Sequence, residues 1–101
     1  MTASTAGYAC YMRVRTKPEK RDEFVGLVLQ LQRDVRANEP DTLVYEFLQG
    51  SDANEFVFLE CFTDEAAQQR HQQMPYHVAM SAAGWACLEG DPVIEFLKPA
   101  R

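Results

Sequence analysis

Residues 42–62, "TLVYEFLQGSDANEFVFLECF", read as two β-strands closing on a turn. "TLVYEFLQ" (42–49) and "EFVFLECF" (55–62) are dense in β-branched and aromatic residues, while "GSDAN" (50–54) gathers the residue types that bend a chain. The segment therefore predicts an antiparallel hairpin with a five-residue loop. Strand alternation puts Phe56, Phe58, Glu60 and Phe62 on one face of the second strand and Val57, Leu59 and Cys61 on the other. Both faces are largely apolar, so both call for cover.

Upstream, "YACYMRVR" (8–15) alternates as a strand, with Tyr8, Cys10, Met12 and Val14 on one face and Tyr11, Arg13 and Arg15 on the other. Thr16 and Glu19 have the spacing of a capping box and Pro18 suits a first helical turn. Phe24, Leu27, Val28, Leu31 and Val35 then recur at helical spacing, which predicts an amphipathic helix over about 18–37. Glu39-Pro40-Asp41 breaks it, because the residue before proline is pushed out of helical angles.

Downstream, Thr63 or Asp64 caps a short helix through Arg70 or His71, and Pro75 restarts a second one with Val78, Ala82 and Trp85 as its expected buried stripe. Gly90 is read as its end and "PVIEFLK" (92–98) as a last strand. The order is β-α-β-β-α-β, the split βαβ of the α+β ferredoxin-like fold, in which one antiparallel sheet carries its helices on a single face. With the helices on the Glu60 side, Val57, Leu59 and Cys61 are expected on the open face beside Cys10, Met12 and Val14. An apolar face of that size predicts a homodimer formed sheet to sheet.

The 101 residues suit one domain over 8–101, preceded by a small-residue arm over 1–7 that is expected to be flexible and lacks the pattern of a signal peptide. A net charge of −5, with the ten Lys and Arg scattered, excludes the electrostatic footprint of a nucleic-acid binder. No apolar run approaches membrane-spanning length, so a soluble, cytoplasmic chain is expected. Cys10, Cys61 and Cys87 are odd in number and widely spaced, and read as small buried residues rather than as disulfides or a zinc knuckle.

Both histidines fall in "RHQQMPYHVAM" (70–80), on either side of Met74-Pro75. The proline keeps them off one helical face, and no cysteine or carboxylate completes a metal-ligand spacing, so no metal is expected. His71 is the candidate base by its titration range, against the simpler reading of a helix-ending residue that suits the dipole. Glu60, between Phe58 and Phe62, is either a partly buried carboxylate of raised pKa that supports His71 or a salt-bridge partner of Arg13 or Arg15. Tyr11, Tyr45, Phe62, Tyr76 and Trp85 are candidates for lining an aromatic slot, with His77 at its rim.

"NEPDTLVYEF" (38–47) and "FVFLECFTDEAAQQRHQQMPYHVAM" (56–80) together resemble the antibiotic biosynthesis monooxygenase family. An E-P-G-like turn, a Y-E pair, an E-x-aromatic, D-E-A and a helix histidine occur in the family's order. The resemblance spans about Arg13 to Lys98. It implies a dimeric α/β barrel with a small pocket between sheet and helices in each subunit, and an activity range in which several members oxidise phenols, anthrones or quinols with dioxygen and no metal or flavin, while others break down haem or isomerise or degrade small signalling molecules. Carried over by position, Glu60 and Phe62 match the family's E-x-W, with phenylalanine for tryptophan, and His71 matches the pocket-facing histidine. Asp41 replaces the glycine of the turn. The haem-degrading branch is disfavoured, since its strand asparagine falls at Tyr11 and its tryptophan at Phe62.

The expected function is a cofactor-independent monooxygenase acting on a small quinol-like or phenolic aromatic, with His71 taking the proton and Glu60 assisting. An isomerase or degradative enzyme for a small carbonyl metabolite, and a non-catalytic ligand-binding module, stand as alternatives on the same scaffold.

Overall fold

The computed structural model describes residues 5–100. Its elements are β1 (Tyr8–Arg15), a 3-10 turn (Pro18–Lys20), α1 (Arg21–Asn38), β2 (Thr42–Gln49), β3 (Glu55–Phe62), α2 (Glu65–Gln73), α3 (Pro75–Ala86) and β4 (Val93–Leu97). The four strands form one antiparallel sheet in the order β2-β3-β1-β4, which is the expected ferredoxin-like topology. The hairpin closes over 50–54 as read, with Gly50 N–H donating to Glu55 O at 2.7 Å.

The core lies between the sheet and α1. Phe24, Val28, Leu31 and Val35 are buried at i, i+4, i+7 and i+11 and pack on Val14, Tyr45, Phe56 and Phe58. Phe24 meets Phe47 and Phe58 edge to face, with ring centroids 5.9 and 6.3 Å apart.

Register corrects one expectation about the open face. Cys10 sits opposite Glu60, Met12 opposite Phe58 and Val14 opposite Phe56, so these three point to the helices. The outer face instead carries Tyr11, Arg13 and Arg15 beside Leu59, Val57 and Glu55. The sorting is physical: Cys10-Met12-Val14 is the wholly apolar set of β1, and the opposite set holds both arginines.

The capping box does not form. Thr16 is fully buried, its N–H and hydroxyl both donate to Asn54 O, and the first helical turn is a 3-10 turn without a side-chain cap. The expected stripe of α3 is displaced as well: Val78 and Trp85 are 61% and 50% exposed and Ala82 is exposed, whereas Met80 and the buried Gly84 face inward. That helix ends at Ala86, and Gly90 lies in the loop beyond it at φ 71°, a left-handed conformation that suits glycine. Cys10 and Cys87 are buried as expected, while Cys61 is half-buried on the outer face.

Of the N-terminal arm, residues 1–4 lie outside the described residues. Gly7 is tied to the sheet by an N–H bond to Phe62 O at 2.9 Å. No helix among the described residues is long and apolar enough to cross a membrane.

Candidate active site

Between the sheet and α2–α3 lies a cavity of about 150 Å³. Met12, Val28, Leu31, Phe58 and Met80 give it apolar walls, and half-exposed Trp85, Ile94 and Phe96 stand where it opens. Its polar groups gather at the α2 end, where His71, Glu60, Gln68 and His77 line it.

His71 is presented from the last turn of α2, whose start is fixed by Asp64 accepting from Ala67 N–H at 2.8 Å. The ring is buried between Tyr45 and Phe62, with centroids 5.4 and 5.6 Å away. Its Nδ1 lies 2.9 Å from Glu39 Oε1, and its Nε2 lies 3.6 Å from Glu60 Oε1. Glu39 also accepts from Thr42 Oγ1 at 2.8 Å and, on its other oxygen, from the Tyr76 hydroxyl.

Glu60 stands in the middle of β3, flanked across the sheet by Cys10 and Tyr45. Burial, reinforced by the neighbouring charge of Glu39, pushes its carboxyl up to about 7. The alternative of an arginine partner is ruled out by strand parity: Arg13 pairs with Glu55 and Arg15 with Asp52 on the outer face. Burial, with Glu60 next in effect, also raises the Cys10 thiol to about 12, which keeps it neutral.

The Met74-Pro75 break puts the two histidines on separate helices, as expected, yet it does not keep them apart. Met74 is extended, and α3 turns back so that His77 returns to the site with its ring 4.7 Å from that of His71, edge to face. Burial, followed by the nearness of His71, lowers the pKa of His77. Its Nδ1 is buried and has no hydrogen-bond partner among the described residues.

The remaining sequence candidates separate. Tyr45 and Trp85 line the cavity. Tyr11 does not: it is on the outer face, where its hydroxyl accepts from Arg13 at 2.9 and 3.0 Å. Tyr76 is committed to Glu39 rather than to the cavity, and Phe62 is sealed beneath His71 in a second cluster with Cys10 and Ala67. Glu39 belongs in sequence to a turn motif, although a carboxylate at the end of a helix, against the dipole, is itself a signal.

The sequence pattern of the antibiotic biosynthesis monooxygenase family matches residues 7–83. The chain belongs to this family. YcnE of Bacillus subtilis (strain 168), named as a proposed monooxygenase, is 34% identical over 71 residues, covering 70% of this chain and 75% of YcnE. A proposed antibiotic biosynthesis monooxygenase from Caulobacter crescentus CB15 superposes with a TM-score of 0.88 at 30% identity, over 95% of this chain and 92% of the other. The same fold recurs in PA3566 from Pseudomonas aeruginosa, with a TM-score of 0.84 at 21% identity and coverage of 99% and 100%. Within the antibiotic biosynthesis monooxygenase scaffold, the cavity of this chain is therefore the space between sheet and helices, with one histidine held between two carboxylates at its polar end.

Proposed function

We propose that this protein is a cofactor-independent monooxygenase that oxidises a single-ring quinol-like or phenolic compound with dioxygen. The observation that carries the reading is the cavity: apolar walls with the proton-handling groups at one end, His71 Nε2 and Glu60 Oε1 3.6 Å apart. An apolar cavity of about 150 Å³ accepts a benzene-sized molecule. The ring would lie against the apolar walls with a hydroxyl at the His71 end.

His71 takes the phenolic proton at Nε2, the nitrogen on the Glu60 side, and the resulting anion is electron-rich enough to reduce dioxygen. For a hydroquinone the balance needs no other reductant: one oxygen atom becomes a new ring hydroxyl, the other leaves as water, and the ring ends as a hydroxyquinone. Glu60, whose carboxyl titrates at about 7, returns or relays the proton. His77, with its unmatched Nδ1, supplies a further contact for a polar substituent. The apolar surroundings exclude water and strengthen each of these contacts.

The outer sheet face supports a homodimer as the working form. Val44, Leu48, Leu59, Val93 and Leu97 are exposed there, and such a face is covered in stable proteins.

Oxygen uptake by purified protein with hydroquinone, alkylphenols and anthrone tests the reading. Uptake above the uncatalysed rate for the single-ring compounds is expected, with hydroxyquinone as the product from hydroquinone and a quinone from the alkylphenols; background rates throughout would overturn it. Dioxygen-independent turnover of a carbonyl substrate would instead favour an isomerase, which the same histidine-carboxylate pair could serve.

A further inference from the structure

We infer that Glu39 is a positioning residue for His71, fixing the imidazole proton on Nδ1 and so reserving Nε2 for the cavity. Glu39 is the C-cap of α1, where the carbonyl ends of the helix make a carboxylate unfavourable and a basic residue would be stabilising. Helix stability therefore does not account for a glutamate there. Burial adds to its cost, since the side chain is 8% exposed.

Two hydroxyl donors and a ring nitrogen, from three other elements, offset that cost. Thr42 Oγ1 and His71 Nδ1 reach Oε1 at 2.8 and 2.9 Å, and the Tyr76 hydroxyl reaches Oε2. Hydroxyls donate or accept equally well, so Thr42 and Tyr76 would tolerate an amide in place of the carboxylate. The ring nitrogen would not be indifferent. A carboxylate only accepts, so Nδ1 must donate, and a neutral ring then carries its lone pair on Nε2. That nitrogen is the one 3.6 Å from Glu60 in the cavity wall. In a free imidazole side chain the proton favours Nε2, which would leave His71 unable to accept from a substrate hydroxyl. Glu39 reverses this preference without touching the cavity, since it is absent from the lining.

The consequence for catalysis rests on the proposed role of His71 as proton acceptor, but the tautomer is read without any substrate. Long-range 1H–15N correlation spectra of the histidine-labelled 101-residue protein, recorded at alkaline pH, report which nitrogen of His71 is protonated. In the unsubstituted protein the Nδ1–H form is expected. In Glu39→Gln the side-chain amide can turn its NH₂ to the ring, so the two nitrogen shifts are expected to move towards each other or cross. An Nε2–H ring in the unsubstituted protein would overturn the inference, and this result does not depend on any variant folding. So would a folded Glu39→Gln protein whose His71 shifts stay where they were.

Discussion

His71 Nδ1 lies 2.9 Å from Glu39 Oε1, and both side chains are all but closed to solvent. The contact joins α2 to the C-terminal end of α1, so the histidine has a structural share beside the chemical one proposed for it. His71→Ala removes one of three donors to a buried carboxylate, which costs roughly 1–3 kcal/mol. A fall of about 5–20 °C in the melting midpoint is expected for a domain of this size. Dioxygen uptake with hydroquinone should drop to the uncatalysed rate in the same variant, and undiminished uptake by folded His71→Ala would remove it from the reaction.

Glu60 makes stability depend on pH in the less common direction. Its folded pKa of about 7 lies above the ordinary value of 4.5, so between these two pH values the folded chain binds the proton more tightly than the unfolded chain does. The stability linked to this proton is fully present below about 4.5, declines as pH rises, and is gone above about 7, a span worth about 3 kcal/mol. Glu60→Gln has no proton to lose. Melting curves at pH 5 and pH 8 should show the variant gaining on the parent at the higher pH; parallel losses in both proteins would show that Glu60 is not the group responsible.

Leu59 stands at the centre of the outer face, opposite Tyr11 on one side and Glu46 on the other, and is 40% exposed in the single chain. In a sheet-to-sheet dimer Leu59→Glu would bury an unpaired charge, at a cost of several kcal/mol per dimer. Light scattering coupled to size exclusion should report a dimer for the parent and a monomer for the variant, with unchanged far-ultraviolet circular dichroism. A variant that remains dimeric would place the contact elsewhere.

Trp85 is the single tryptophan of the chain, and it stands half-exposed at the cavity opening. Its emission should therefore respond to occupancy of the cavity with no added label. Hydroquinone is expected to quench it saturably, and His77→Ala to raise the apparent dissociation constant by about 5–30-fold through loss of a polar contact worth roughly 1–2 kcal/mol. Linear, non-saturating quenching would mean collision rather than binding.

Much of this architecture is legible in residue order. The hairpin, the stripe of α1 and the Asp64 cap follow from local chemistry that the tertiary structure leaves intact. What the sequence leaves open is which of two strand faces meets the helices, since alternation defines two sets without orienting them. For β1 the charge of Arg13 and Arg15 was the available clue, and it would have moved Tyr11 out of the site. In α3 the apolar residues Val78 and Trp85 outweigh Met80 and Gly84, although these last two face the cavity. Glu39 was hidden by its turn motif, because its partners Thr42, His71 and Tyr76 lie up to 37 residues along the chain and meet only in three dimensions.

The corner at Met74 ties two parts of the site together. A single extended residue joins α2 to α3, so the angle between them is set at one position while His71 and its carboxylates are anchored on α2, β3 and the end of α1. Substitution, insertion or deletion at 74–75 would move Trp85 and Met80 at the cavity together with Tyr76 and His77, while His71, Glu60 and Glu39 keep their own elements. The shape of the cavity and the outer support of its histidine therefore turn on the same short corner of the chain.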